Sequence, residues 1–134
     1  MTDIEKVEGI GPVHAKDLTK AGIHTTEDLL REGTTPASRK EIEEVTGISH
    51  KLILKWVNMV DLFRIKGVSE EYSELLEEAG VDTVPELSQR NSDHLNQMLA
   101  DINGKKNLVR RLPSENEIKD WIEQAKALPR VIKY

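Results

Sequence analysis

Two glycine turns near the start of the sequence carry the residue types that bind phosphate. In each turn a glycine, an aliphatic residue and a small residue are followed by one histidine and two lysines. The two sets are Gly9, Ile10, Gly11, His14, Lys16 and Lys20, and Gly47, Ile48, Ser49, His50, Lys51 and Lys55. The lysines of each set lie four residues apart, so on a helix they share one face. A helix that begins at such a turn has unpaired backbone amides, which attract anions.

A third turn of the same form, Ile65-Lys66-Gly67-Val68-Ser69, has the opposite charge. Residues 67–89 contain seven acidic residues and neither Lys nor Arg. Glu70 and Glu71 stand where a phosphate would bind, and like charges repel. We therefore predict that this turn is structural and does not bind nucleic acid. A fourth turn, expected within 88–120, has lost its glycine pattern.

The turns belong to two related halves of the chain. Shifting the sequence by 58 residues aligns 7–29 with 65–87, and six of the 23 positions are identical. Later in each half, ILKWV at 53–57 resembles IKDWI at 118–122, which places Trp56 opposite Trp121. We predict a first half at 1–62 and a second, degenerate half at 63–134 with an insertion and a C-terminal helix. We expect the two halves to pack as one unit.

Both halves contain residues that typically begin and end helices. No segment shows the alternating apolar and polar residues of a strand. Apolar residues recur at helical spacing, with Trp56 and Trp121 inside two of these stripes as core anchors. Helix starts are indicated by a hydroxyl residue three positions before an acidic one. These starts are Thr25, Ser38, Thr83 and Ser114. Gly22 and Gly80 are placed to end helices. We predict an all-α fold of about nine short helices, with no sheet and a loose tail after Pro129.

The Gly-aliphatic-small turn between two helices resembles the helix-hairpin-helix motif of DNA repair, recombination and replication proteins. The whole chain is similar to a bacterial domain family of unknown function that is built from tandem motifs of this kind. RIKGVSEEYSELLEEAGVDTVPEL at 64–87 and WIEQAKALPRV at 121–131 carry that closer resemblance. The resemblance implies tandem helix-hairpin-helix repeats, an architecture like that of SAM domains.

The resemblance also implies which positions contact a ligand. In DNA-binding members the hairpin amides bind backbone phosphates without reading bases, and the matching positions here are Gly9, Gly11, Val13 and His14. Some members hold a potassium or sodium ion on carbonyls that correspond to Glu5, Val7 and Ile10, which nothing else in the sequence supports. With the residues of the second turn, the candidate nucleic-acid site comprises Gly9, Gly11, Val13, His14, Lys16, Lys20, Gly47, Ser49, His50, Lys51 and Lys55.

Composition and motifs also bear on metal binding, catalysis and localisation. The chain has no cysteine, and its four histidines lack metal-ligand spacing. Enzyme motifs are absent, so we expect no catalysis, no cofactor and no small-molecule substrate. Neither a signal peptide nor a membrane span is evident, which favours a cytoplasmic protein without a membrane partner. The basic cluster Lys105, Lys106, Arg110 and Arg111 is interpreted as a solvated helix face.

Two hypotheses follow for function. The first is a non-catalytic module that binds duplex DNA through its phosphate backbone, independently of sequence, using the first two turns. The net charge of −5 argues against strong binding of this kind. The alternative is a protein–protein interaction or scaffold module that reuses the same fold without nucleic acid, which the acidic stretch 69–79 favours.

Overall fold

Eight α-helices follow one another along the chain in the computed structural model, which describes residues 3–7 and 9–133. A short 3₁₀ turn at Ile4–Lys6 precedes them. The helices are α1 Gly11–Lys20, α2 Thr26–Glu32, α3 Pro36–Thr46, α4 His50–Leu62, α5 Glu70–Glu78, α6 Val84–Ser88, α7 Ser92–Lys106 and α8 Glu115–Ala127. The described residues contain no strand, only an isolated antiparallel bridge between Asp3 and Thr25. The prediction of an all-α fold is confirmed. None of the described helices is long and apolar enough to cross a membrane.

The chain forms two compact units. One consists of Met1–Asp61 together with Val131–Tyr134, and the other of Leu62–Arg130. The predicted halves at 1–62 and 63–134 rest on sequence repetition, whereas these units are compact regions of the structure, and residues 131–134 belong to the first of them. Residues 131–133 are also not a loose tail, since Ile132 is buried and the Lys133 amide donates a 2.8 Å hydrogen bond to the Thr34 carbonyl.

Side-chain caps explain where most helices begin. Thr25 and Ser114 form complete capping boxes with Asp28 and Glu117, and the Thr83 hydroxyl accepts from the Glu86 amide, as the spacing predicts. The prediction that Ser38 begins a helix is wrong by one turn. Thr35 caps α3 and Ser38 is its third residue, because Pro36 is favoured in the first turn and fixes the start.

Each unit has an apolar core with a tryptophan in it. In the first unit Trp56 has no exposed surface and lies on α4. In the second unit Trp121 of α8 belongs to a cluster to which α5, α6 and α7 also contribute. Within that unit α8 packs against α6 and α7, and α5 packs against α7. Both tryptophans are therefore core anchors, as the apolar stripes predict.

The two units repeat one hydrogen-bond pattern around the glycine turns. The Ile10 amide donates to the Val7 carbonyl at 3.0 Å, and the Val68 amide donates to the Ile65 carbonyl at 3.2 Å. Gly22 and Gly80 follow the ends of α1 and α5 with φ angles of 80° and 82°. Left-handed backbone of this kind favours glycine at a helix end, so the shared Ala-Gly pair is a requirement of the fold.

Candidate functional site

The first glycine turn places an open helix end at the surface. Gly9 and Gly11 have φ angles of 88° and 61°, and α1 begins at Gly11. Pro12, which has no backbone N–H, follows within the first turn, and no side chain within 3–7 and 9–133 caps this end. Val13 is 72% exposed, although it is apolar. Backbone amides in the first turn of a helix have no partner within the helix, so this end offers hydrogen-bond donors to a ligand.

The other α-helices of the described chain begin differently, because a side-chain oxygen accepts a hydrogen bond from an amide of the first turn in every one. The capping residues for α2 to α8 are Thr25, Thr35, Ser49, Ser69, Thr83, Asn91 and Ser114. Such caps satisfy the amides that an anion would otherwise bind. Among the helices that the structure describes, α1 alone keeps its first turn available.

Two buried nitrogen atoms lie behind this open helix end. The His14 and Trp56 rings are in contact, with centroids 5.1 Å apart and planes at 57°. A Cβ atom added to Gly9 would lie 3.5 Å from Trp56 Nε1, so the indole edge lies against the turn. Trp56 Nε1 and His14 Nδ1 form no hydrogen bond with any residue that the structure describes. Buried polar groups without partners are rare, and an ordered water or a bound ion is one explanation for them.

The equivalent turn of the second unit packs in the same way, and its tyrosine has a hydrogen-bond partner. A Cβ atom on Gly67 would lie 2.9 Å from Trp121 Nε1, and the Tyr72 and Trp121 rings are 5.4 Å apart at 53°. Tyr72 occupies the position of His14, and its hydroxyl donates to the Arg111 carbonyl at 2.8 Å. The Ser69 side chain caps α5. The N-terminus of α5 at this turn is therefore capped, and the purely structural role of the turn stays a prediction.

The second glycine turn is also closed, by an acidic side chain. The Glu43 carboxylate accepts a 2.7 Å hydrogen bond from the His50 amide, the first amide of α4. The same oxygen lies 3.3 Å from His50 Nδ1. The His50 backbone amide, above all, lowers the pKa of Glu43, so the carboxylate stays charged. An anionic group of the protein therefore already occupies the position at which a phosphate was predicted to bind.

The lysines around the two turns are all exposed, and one of them lies close to an acidic residue. Lys16 and Lys51 are exposed and form no ion pair within the described part of the chain. Lys20 lies 3.7 Å from Asp17 on the same helix. Lys55 is exposed as well. The structure thus brings Gly9, Gly11, Val13, His14 and Lys16 together on one open turn. It places Gly47, Ser49, His50, Lys51 and Lys55 around a turn that Glu43 closes.

One of the carbonyls suggested for a monovalent ion and two side chains of the basic cluster make contacts within the protein. The Val7 carbonyl, one of three suggested for a monovalent ion, accepts the Ile10 amide, while Glu8 of the same turn lies outside the described residues. No group of three or more His, Asp or Glu side chains within 3–7 and 9–133 is placed to hold a metal ion. In the basic cluster, Lys106 pairs with Glu78 and Arg111 pairs with Glu117 on both of its carboxylate oxygens.

Sequence reasoning missed two side chains with important contacts. Glu43 was overlooked because it precedes the second turn, although its position one helical turn before Gly47 was a usable signal. Arg39 was not singled out either. It is 5% exposed, and its guanidinium donates to the carbonyls of Gly33 and Lys133 at 2.7 and 2.8 Å. Nothing in the local sequence indicates a contact over 94 residues.

Comparison with known protein families gives one match that spans most of the chain. A family described as "Domain of unknown function (DUF4332)" matches residues 8–128. The chain belongs to this family. The match covers α1 to α8 and both glycine turns of the first unit, so these features lie inside the family domain. Comparisons with curated proteins and with solved structures gave no match.

Proposed function

We propose that this chain is a non-catalytic module that binds the phosphate backbone of duplex DNA, independently of sequence, through the first glycine turn. In this proposal the glycine turns are helix-hairpin-helix motifs. The observation that supports it best is the open start of α1, whose first turn is capped by no side chain that the structure describes. Helix N-termini of this kind bind phosphate because free amides and the helix dipole both favour an anion.

Two further features support the same turn. Trp56 is fully buried, and its Nε1 atom lies behind Gly9 without a partner among the described residues. Lys16 is exposed on α1 and adds positive charge near the helix start. The site has no base-reading groups, because its donors are backbone amides and a lysine. Contacts of this type position a protein on DNA without sequence preference.

The charges of the chain limit how tightly it binds. The net charge is −5, and Glu43 occupies the second turn. In this proposal a single glycine turn contacts one region of the DNA phosphates. Two turns that contact the two DNA strands are not involved. We expect dissociation constants in the range of non-specific binding, about 1–100 µM, and a shallow dependence on salt.

The experiment is a titration of fluorescently labelled duplex DNA, followed by anisotropy at ~50 mM salt. Lys16→Glu is expected to weaken binding, because the exposed lysine lies near the open turn. Lys105→Glu is the matched control, since it makes the same charge change at an exposed position in the second unit. Absence of binding at about 100 µM protein, the upper end of ordinary non-specific dissociation constants of about 1–100 µM, would refute the proposal.

A second candidate function is protein–protein interaction without nucleic acid. The closure of the second turn by Glu43 favours it, because one of the two turns that could grip DNA already holds an anion. Affinity capture from lysate with and without nuclease separates the two candidates. Partners that are lost after nuclease treatment support DNA binding, and partners that persist support the interaction module.

A further inference from the structure

The segment Val131–Lys133, named here the tail segment, binds to the first unit through its backbone. The Lys133 amide donates to the Thr34 carbonyl at 2.8 Å. The Lys133 carbonyl accepts from Arg39 Nη2, also at 2.8 Å. Both backbone groups of one residue are thus satisfied by the loop and helix that contain Gly33, Thr34 and Arg39. Main-chain recognition of this kind binds extended peptides with little regard to side chains that point to solvent.

One side chain of the tail segment provides the apolar part of the contact. Ile132 is 2% exposed, whereas the neighbouring Lys133 side chain is exposed. Val131 is half-buried, so Ile132 is the most deeply buried side chain of the segment. The recognised pattern is therefore a branched aliphatic residue followed by a residue whose backbone forms two hydrogen bonds.

The receiving surface is held in place independently of the tail segment. Arg39 Nη1 donates to the Gly33 carbonyl at 2.7 Å, which fixes the guanidinium that reaches Lys133. Gly33 lies close to α4, because an added Cβ atom would be 2.4 Å from Val57 Cγ2 and 2.9 Å from the Leu29 carbonyl oxygen. The groove formed by Gly33, Thr34 and Arg39 is thus built from buried, mutually supported groups.

We propose that this groove is a docking site for extended peptides and that the tail segment is its resident occupant. A peptide with the same chemistry, a branched aliphatic residue followed by a residue that keeps its backbone N–H, binds there when the tail segment is released. Arg39 also lines a cavity of about 300 Å³ with Pro36, Lys40, Glu43, His50 and Leu54. A ligand longer than the tail segment therefore has room beside the groove. This site is separate from the proposed DNA contact at Gly9 and Gly11.

The test uses the full chain and a fluorescent peptide, LPRVIKY, that copies residues 128–134. Two variants release the tail segment by different means. Ile132→Asp removes the anchor, and Lys133→Pro removes the amide that donates to Thr34. Lys133→Asp is the matched control, because it alters only an exposed side chain. We expect both release variants to bind the peptide at least about tenfold more tightly than the wild type and the control do.

Two results would overturn this proposal. One is that folded Lys133→Pro protein, judged by its helical circular dichroism, binds the peptide no better than the wild type. The other is that adding Arg39→Met to Lys133→Pro leaves peptide binding unchanged. Arg31→Met serves as the control for that second substitution, because Arg31 is exposed and pairs only with nearby acids of α2. We expect Arg39→Met to abolish peptide binding and Arg31→Met to preserve it.

Discussion

The Glu43 carboxylate accepts a 2.7 Å hydrogen bond from the His50 amide, and this contact closes the N-terminus of α4. This contact distinguishes the second glycine turn from the first, although the two look alike in sequence. The first turn has no side-chain cap among the described residues, whereas the second holds an anion that belongs to the protein. Local lysine content is the same at both turns, so the proposal of phosphate binding rests on this difference in capping.

Removing this carboxylate is expected to open the second turn. Glu43→Gln abolishes the charge at the His50 amide while keeping the size of the side chain. We expect tighter binding to duplex DNA and a salt dependence steeper by about one released counterion. We also expect a small loss of thermal stability, because an anion at a helix N-terminus is stabilising. Glu44→Gln, at an exposed neighbouring position, is the control.

Unchanged affinity and salt dependence in Glu43→Gln would mean that the second turn does not face DNA. The first turn would then remain the sole contact. Measurements at several salt concentrations distinguish these outcomes, because the slope of log affinity against log salt counts phosphate contacts.

The two halves of the fold were largely predictable from sequence, for physical reasons. Apolar spacing and the Ala-Gly helix ends are local features of the sequence. In the structure the apolar residues form buried stripes, and Gly22 and Gly80 have left-handed backbone conformations. The start of α3 was misplaced because Thr35 and Ser38 are both good caps, and Pro36 decides between them. Competing caps of similar strength cannot be ranked by spacing alone.

Local sequence does not predict whether a side chain caps the helix that follows each glycine turn. Whether a turn is open depends on which side chain reaches it through tertiary packing. Glu43 contacts His50, which lies seven positions later in the sequence. Arg39 contacts Lys133, which lies 94 positions later. Residues 131–133 lie outside the helices, so they lack the helical periodicity that reveals a buried face.

The conformation of Gly9 is expected to make the first turn sensitive to substitution. Gly9→Ala forces a Cβ onto a backbone with a φ angle of 88°, close to Trp56. We expect a loss of about 1–3 kcal/mol in the free energy of unfolding. Gly104→Ala, inside α7 with no atom near its added Cβ, should instead gain about 0.5 kcal/mol. Urea denaturation measures both, and equal effects would contradict this description of the turn.

Acid stability is expected to depend on Glu117, which caps α8 and pairs with Arg111. Arg111, together with the Ser114 amide, lowers the pKa of Glu117 from 4.5 to about 2. Its contribution to stability is complete above pH 4.5 and is lost as the pH falls toward 2. Glu117→Gln should therefore flatten the acid side of the stability curve. Glu123→Gln, at an exposed position on α8, should leave the curve as it is.

The central claim is that α1 presents its open first turn to phosphate, and a substitution at Val13 tests it most directly. Val13→Asp places a carboxylate among the first amides of α1 at an exposed position, where it stabilises the helix but repels DNA. Val45→Asp makes the same charge change beside Lys20, at the opposite end of α1.

The decisive measurement is the dissociation constant of each variant for labelled duplex DNA at ~50 mM salt. We expect Val13→Asp to weaken binding by about tenfold or more, and Val45→Asp by about twofold or less, which reflects net charge alone. Both proteins should retain the melting temperature of the wild type within a few degrees. Equal affinities for the two variants would contradict the account, because DNA would then sense only the overall charge and not the first turn.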